Sequence, residues 1–248
     1  MPRYPSPYQV SYTFGPGPLT PGIKVLIWVN VGMFLVPIVM PAVTLYLALV
    51  PAAIVERWFA WQPLTYMFLH DGVFHILVNM LMLWMFGTDL ERTWGTRFFL
   101  RYYFVAGIGA AAVTVLLALA PLPFADLLYY TPTVGASGAI YGVLLAYGLM
   151  FPKRPIYLYL LFPIPARVFV LIMCAIALLS SISGGGSNIA HSAHLGGLLV
   201  GYLYLKMQRG NPLAEIKYRY AKMRMNRMRR RFDVHRGGRQ DDGNRWVH

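Results

Sequence analysis

Three clusters of polar residues interrupt the long apolar stretches of this chain, and each holds side chains suited to proton or acyl transfer. The first, HILVN (75–79), places His75 and Asn79 at i and i+4, on one face of a helix. The second, TVGASGAIYG (133–142), sets Ser137 between Gly135 and Gly138. Small residues let a backbone approach a ligand, and a helix N-terminus offers unpaired N–H groups to an anion. The third, HSAHLGGLLVG (191–201), carries His194 just ahead of a G-x-x-x-G step at Gly197 and Gly201. Together they supply a nucleophile (Ser137), a base (His194) and donors for an oxyanion (His75, Asn79 and the Ser137 amide). Serine is a poor nucleophile until an imidazole takes its proton, and the tetrahedral intermediate then needs donors aimed at its oxygen. No acid lies near His194 in the sequence, so the economical arrangement is a Ser–His dyad rather than a triad.

Each cluster also has an ordinary structural explanation. His75 and Asn79 could make interhelical hydrogen bonds, and Ser137 could be a helix N-cap. The rows Gly138, Gly142, Ala146 and Gly197, Gly201 could serve helix packing alone. What favours chemistry is their common position at corresponding ends of apolar spans, where polar side chains are costly. If the two small-residue rows face each other, His194 is carried next to Ser137.

The elements that must position these residues follow from composition. Of 248 residues, 57% are hydrophobic and 12% charged, and the formal net charge is +13. Mean hydropathy is +0.51. The charged fraction is about half that of a soluble domain, and a chain this apolar is not disordered. A single cysteine, Cys174, excludes a disulfide framework and any multi-Cys metal centre. The expected class is an all-α, polytopic membrane protein with six spans, near 24–46, 73–88, 98–120, 137–151, 165–183 and 192–207. The fourth is short: 15 residues from Ser137 to Phe151 give about 22 Å of helix against a hydrocarbon core of about 30 Å. Pro152-Lys153-Arg154 pins its far end at an interface, so the Ser137 end is the buried one.

Residues 1–22 read as a flexible arm, 23–207 as the membrane domain and 208–248 as a basic tail. With alternating spans, 21 of the 22 Lys and Arg fall on one side and only Arg57 on the other. The positive-inside rule then predicts cytoplasmic termini, with spans two, four and six starting in the outer leaflet. The first span reads as an uncleaved signal anchor. The aromatic 47–72 connection is expected to lie in the membrane interface.

FLHDGVFHILVNM (68–80), GASGAIYG (135–142) and AHLGGLLVG (193–201), in that order and each on its own span, resemble the motifs of the rhomboid family of intramembrane serine proteases. The resemblance covers roughly residues 57–205. It implies a six-helix bundle with Ser137 as nucleophile, His194 as general base, and His75, Asn79 and the Ser137 amide as the oxyanion hole. Tyr141 resembles the tyrosine that packs on the catalytic histidine, Gly135 the glycine two residues before the nucleophile, and His70 a structural histidine. Gly138, Gly197 and Gly201 would support the helix contact. Two positions depart from the pattern: Trp61 is followed by Gln62 instead of Arg, and the Glu-x-Arg element reads Glu91-Arg92-Thr93.

The implied activity is cofactor-free hydrolysis of peptide bonds in the transmembrane segments of other membrane proteins, through an acyl-enzyme. Span five is the expected neighbour of an entering substrate, and the Gly184–Gly186 run suits a mobile cap. A non-catalytic rhomboid-like protein that binds and sorts membrane proteins is the main alternative. A proton path would need polar groups deeper in the spans, and a metal site at His75, His191 and His194 lacks a carboxylate or thiol. The tail from Lys206 holds 13 of the 22 basic residues, which suits anionic lipid, and no nucleic-acid partner is expected. A basic tail of this kind fits a bacterial inner membrane, with the site opening on the extracytoplasmic side.

Overall fold

The computed structural model describes residues 15–158, 162–182 and 188–209. The arm residues 1–14, the Gly184–Gly186 run and the tail beyond 209 lie outside them. The chain divides into two units, Met1–Leu205 and Lys206–His248. The first is a helical membrane domain. Its long helices are α1 (Pro21–Val39), α5 (Val73–Met82), α7 (Thr96–Ala118), α9 (Ser137–Met150), α10 (Ala166–Ile182) and α11 (Asn188–Arg209). A π-turn (Leu83–Gly87) joins α5 to α6 (Thr88–Trp94), making one continuous helix over Val73–Trp94. Short helices α2 (Val43–Leu47), α3 (Pro51–Arg57) and α4 (Gln62–Thr65) occupy the first long connection, and α8 (Ala125–Tyr130) follows α7.

Among the described residues three helices are long and apolar enough to cross a membrane: Pro21–Val39, Val73–Trp94 and Thr96–Ala118. Away from the helix ends, where Lys24, Arg92, Arg97 and Arg101 are exposed, their exposed side chains are apolar, as a lipid solvent requires: Trp28 and Ile38 on α1, Phe74 and Leu77 on α5. α9 is different. Nearly every residue from Gly138 to Gly148 is buried, on all sides, the pattern of a helix enclosed by others. It packs against α7, α10, α5 and the π-turn. At 14 residues it is about 21 Å long.

Several boundaries differ from those expected. The first span ends at Val39, not 46, although the apolar run continues. Pro41 disfavours helical backbone at Met40, and the chain restarts as α2. The expected 88–101 connection shrinks to Gly95, whose φ of +79° permits the reversal between α6 and α7. Arg92, Arg97 and Arg101 therefore sit on helix ends. The link after α9 contains an antiparallel hairpin, β1 (Pro155–Leu158) with β2 (Phe162–Pro165), in register Pro155 to Pro165.

Both departures from the family pattern have structural accounts. Gln62 is fully buried; its Oε1 accepts from the Val50 amide at 3.0 Å and its Nε2 donates to Tyr46 O at 3.3 Å. Trp61 Nε1 donates to the same carbonyl at 2.9 Å, so the pair ties α4 back to α2 without a charge. Glu91 caps α1 and also ties it to the start of α7. Its carboxylate accepts from the Gly22 and Ile23 amides at 2.8 and 2.9 Å, satisfying orphan donors at the start of α1, and from the Thr96 hydroxyl on α7 at 2.6 Å. Arg92, next in sequence, donates to the carbonyls of Pro16 and Pro18 and holds the segment that leads into α1.

Candidate active site

The start of α9 is anchored from two sides. Leu49 and Thr133 exchange backbone hydrogen bonds of 3.0 and 2.8 Å, and the Gly135 amide donates to Tyr66 O at 2.9 Å. Gly135 has φ +121°, outside the range of ordinary L-residues. Ala136 is the N-cap, and Ser137 is the first helical residue. The serine is therefore not the cap: its Oγ is free of the helix backbone and lies 2.7 Å from His194 Nε2. As a first-turn group, its amide has no partner within the helix.

His194 is carried in by α11 through the glycine faces. A Cβ on Gly197 would stand 1.8 Å from Gly138 O, and one on Gly142 would stand 3.2 Å from Gly197 O. Gly201 faces α9 as well, its Cβ position 3.2 Å from Gly142 Cα. The Tyr141 ring stacks on the His194 imidazole at 4.2 Å between centroids and 10° between planes. His191 meets the same imidazole edge-on at 5.6 Å. Among the described residues His194 Nδ1 is buried with no hydrogen-bond partner. Stacking, rather than an acid, fixes this ring.

His75 approaches from α5. A Cβ on Gly135 would stand 2.8 Å from both Cε1 and Nε2 of His75 and 3.7 Å from Ser137 Oγ. The bare face of Gly135 is thus the shared floor beneath the two side chains. Asn79 is buried, and its amide nitrogen donates to His75 O at 2.9 Å. That bond keeps one amide hydrogen and leaves the second for another acceptor. His70 is buried and meets the His75 ring edge-on at 5.0 Å. Burial, then the neighbouring His75, hold His70 far below the ordinary histidine range, to about 4, so it stays neutral.

The structure thus brings Ser137, His194, Tyr141, His75 and Gly135 into one cluster, and places Asn79 and His70 directly behind His75. It adds Asp71, whose Oδ1 lies 2.5 Å from His75 Nδ1, and Tyr66, whose carbonyl holds Gly135. The first lies two residues ahead of α5, outside the helical face that carries His75. The second is a backbone contact that side-chain patterns do not carry. Chemically, a serine hydroxyl bonded to a neutral imidazole, with N–H donors nearby, can attack a carbonyl or phosphoryl centre. G135A forces both an unfavourable φ and a clash with His75. The rate of Ser137 phosphonylation by a fluorophosphonate is expected to fall about 10²-fold; an unchanged labelling rate would show that His75 does not depend on that floor.

The family model described as Rhomboid domain matches residues 57–210. The chain is 32% identical to RHOMBOID-like protein 12, mitochondrial, of Arabidopsis thaliana, over 55% of this chain and 43% of that protein. It is 33% identical to Rhomboid protease GluP of Bacillus subtilis, over 57% of this chain and 25% of that one. Rhomboid protease AarA of Providencia stuartii is 32% identical over 58% of this chain and 54% of its own length. The match therefore spans between a quarter and just over half of these relatives.

Proposed function

Because the chain belongs to the rhomboid family, we propose that it is an intramembrane serine endopeptidase that cleaves transmembrane segments of other membrane proteins. The observation that carries this reading is the 2.7 Å bond between Ser137 Oγ and His194 Nε2 at the start of an enclosed helix. Relatives named as proteases in Bacillus subtilis and Providencia stuartii support the hydrolytic class.

In the proposed cycle Ser137 Oγ attacks the scissile carbonyl carbon while its proton passes to His194 Nε2. The carbonyl electron pair moves onto oxygen, where the Ser137 amide, His75 and Asn79 donate to it. The C–N bond then breaks, and His194 returns the proton to the departing amine, leaving an acyl-enzyme. Water repeats the sequence, with His194 as base, and frees Ser137. Tyr141, stacked on the face of the imidazole, fixes the orientation that an acid on Nδ1 fixes in a triad. No cofactor enters. Substrate helices approach laterally past α10, and the basic tail rests on anionic lipid. The charge distribution supports a bacterial inner membrane location, cytoplasmic termini and a site open to the extracytoplasmic side.

The test is covalent. A fluorophosphonate added to the purified protein in detergent is expected to label wild type and not S137A. A folded wild-type protein that takes up no label would instead support the non-catalytic, membrane-protein-binding alternative.

A further inference from the structure

We propose that Asp71 is a positioning residue for the oxyanion hole: its carboxylate holds the Nδ1 proton of His75 and so turns the Nε2 edge of that ring toward Ser137. The proposal rests on the protease reading above. The bond is Asp71 Oδ1 to His75 Nδ1, 2.5 Å. Asp71 is largely exposed and His75 is not, with side-chain exposures of 73% and 28%.

This bond occupies one nitrogen of the ring and leaves the other for the reacting group. An ionised carboxylate can only accept, so Nδ1 is the donor. The opposite nitrogen, Nε2, stands 2.8 Å from the Cβ position of Gly135, which is itself 3.7 Å from Ser137 Oγ. In a neutral ring with its proton on Nδ1, Nε2 has only a lone pair and would repel an oxyanion. The doubly protonated ring has an Nε2–H to donate, and Asp71 is the countercharge that such a ring needs. Gly72, the N-cap of α5, separates the two residues. Asp71 thus reaches the ring from outside the helix, across its first turn. The His70 ring closes another side, and its neutrality leaves Asp71 as the charged partner of His75. Held by Asp71, His70 and the bare face of Gly135, the imidazole has one orientation in which to meet the reacting carbonyl.

The structural alternative is that Asp71 merely favours the N-terminus of α5 electrostatically. Steady-state cleavage of a fusion protein carrying a transmembrane segment separates the two. D71A is expected to lower kcat about 30-fold with KM within 2-fold of wild type, because the interaction is made with the transition state. D71N keeps an acceptor oxygen but not the charge and is expected to fall between wild type and D71A. In an H75A background, D71A should add less than a 2-fold further loss. An equal loss in both backgrounds, a D71A loss that D71N does not reduce, or a D71A enzyme within 2-fold of wild type would each overturn the role. Wild type that neither cleaves nor takes up fluorophosphonate would overturn the protease reading itself. The expected D71A loss beside an active wild type, with an unchanged thermal midpoint, supports the role of Asp71.

Discussion

S137A is expected to lower cleavage of a membrane-embedded substrate by at least about 10⁴-fold, H194A to do nearly the same, and the double variant to lose no more than either. In the proposed mechanism the two side chains act as one device. The serine hydroxyl attacks only while its proton has somewhere to go, and the acceptor for it is the imidazole nitrogen 2.7 Å away. Removing the nucleophile leaves the base nothing to activate, and removing the base leaves a hydroxyl of ordinary reactivity. With no third acid on His194 Nδ1 among the described residues, the orientation of the ring depends on Tyr141. Additive losses, or cleavage surviving either single change, would sink the dyad. The measurement is the initial rate of product formation from a purified fusion substrate, with thermal unfolding showing that each variant is folded.

That pairing was legible because membrane spans have a simple grammar. A polar residue in an apolar run stands out, and small residues spaced four apart mark a face where helices meet. Ser137 and His194 are 57 residues apart in sequence; their meeting follows from the sequence on the condition that the glycine rows of their two helices face each other, and they do. The short fourth span was legible too, since Pro152 bounds it. Hydropathy does not encode where a helix stops when the next residues are equally apolar. Met40-Pro41-Ala42 ends α1 through backbone restriction while the apolar signal continues. Gly95 likewise turns a presumed loop into a single residue through its positive φ. The 155–165 hairpin lies in a segment of Pro, Tyr and Leu that looks like an ordinary connection, and its strand pairing is a tertiary outcome. Asp71 was hidden for another reason. It stands two residues before the helix that carries His75, where no helical face can be drawn.

The glycine contact sets the second large expectation. G197A would place a methyl carbon 1.8 Å from Gly138 O and 2.7 Å from its carbonyl carbon. The obstacle is backbone, so no rotamer change relieves it. Carbon and carbonyl oxygen come no closer than about 3.3 Å even in a favourable contact, so the two helices must part by more than an ångström. Gly138 follows Ser137 directly, and Gly197 lies less than one turn beyond His194. The separation therefore falls on the Ser–His bond itself. A misplacement of about 1 Å costs about 10²-fold in rate, and overpacking at a rigid site costs about 3 kcal/mol of stability. G197A is thus expected to lower the thermal midpoint in detergent by several degrees and to cut fluorophosphonate labelling of the remaining folded protein at least about 10²-fold. G201A is the internal comparison. Its methyl would stand 2.6 Å from Tyr102 Oη, the end of a side chain, and 3.2 Å from Gly142 Cα. The Tyr102 hydroxyl, which donates to Gly142 O at 2.6 Å, can give way at the cost of that bond, about 1 kcal/mol. The contact also lies further from His194. The milder loss belongs to G201A if the glycine faces carry His194 to Ser137; a G197A protein as stable and as reactive as wild type would show that they do not.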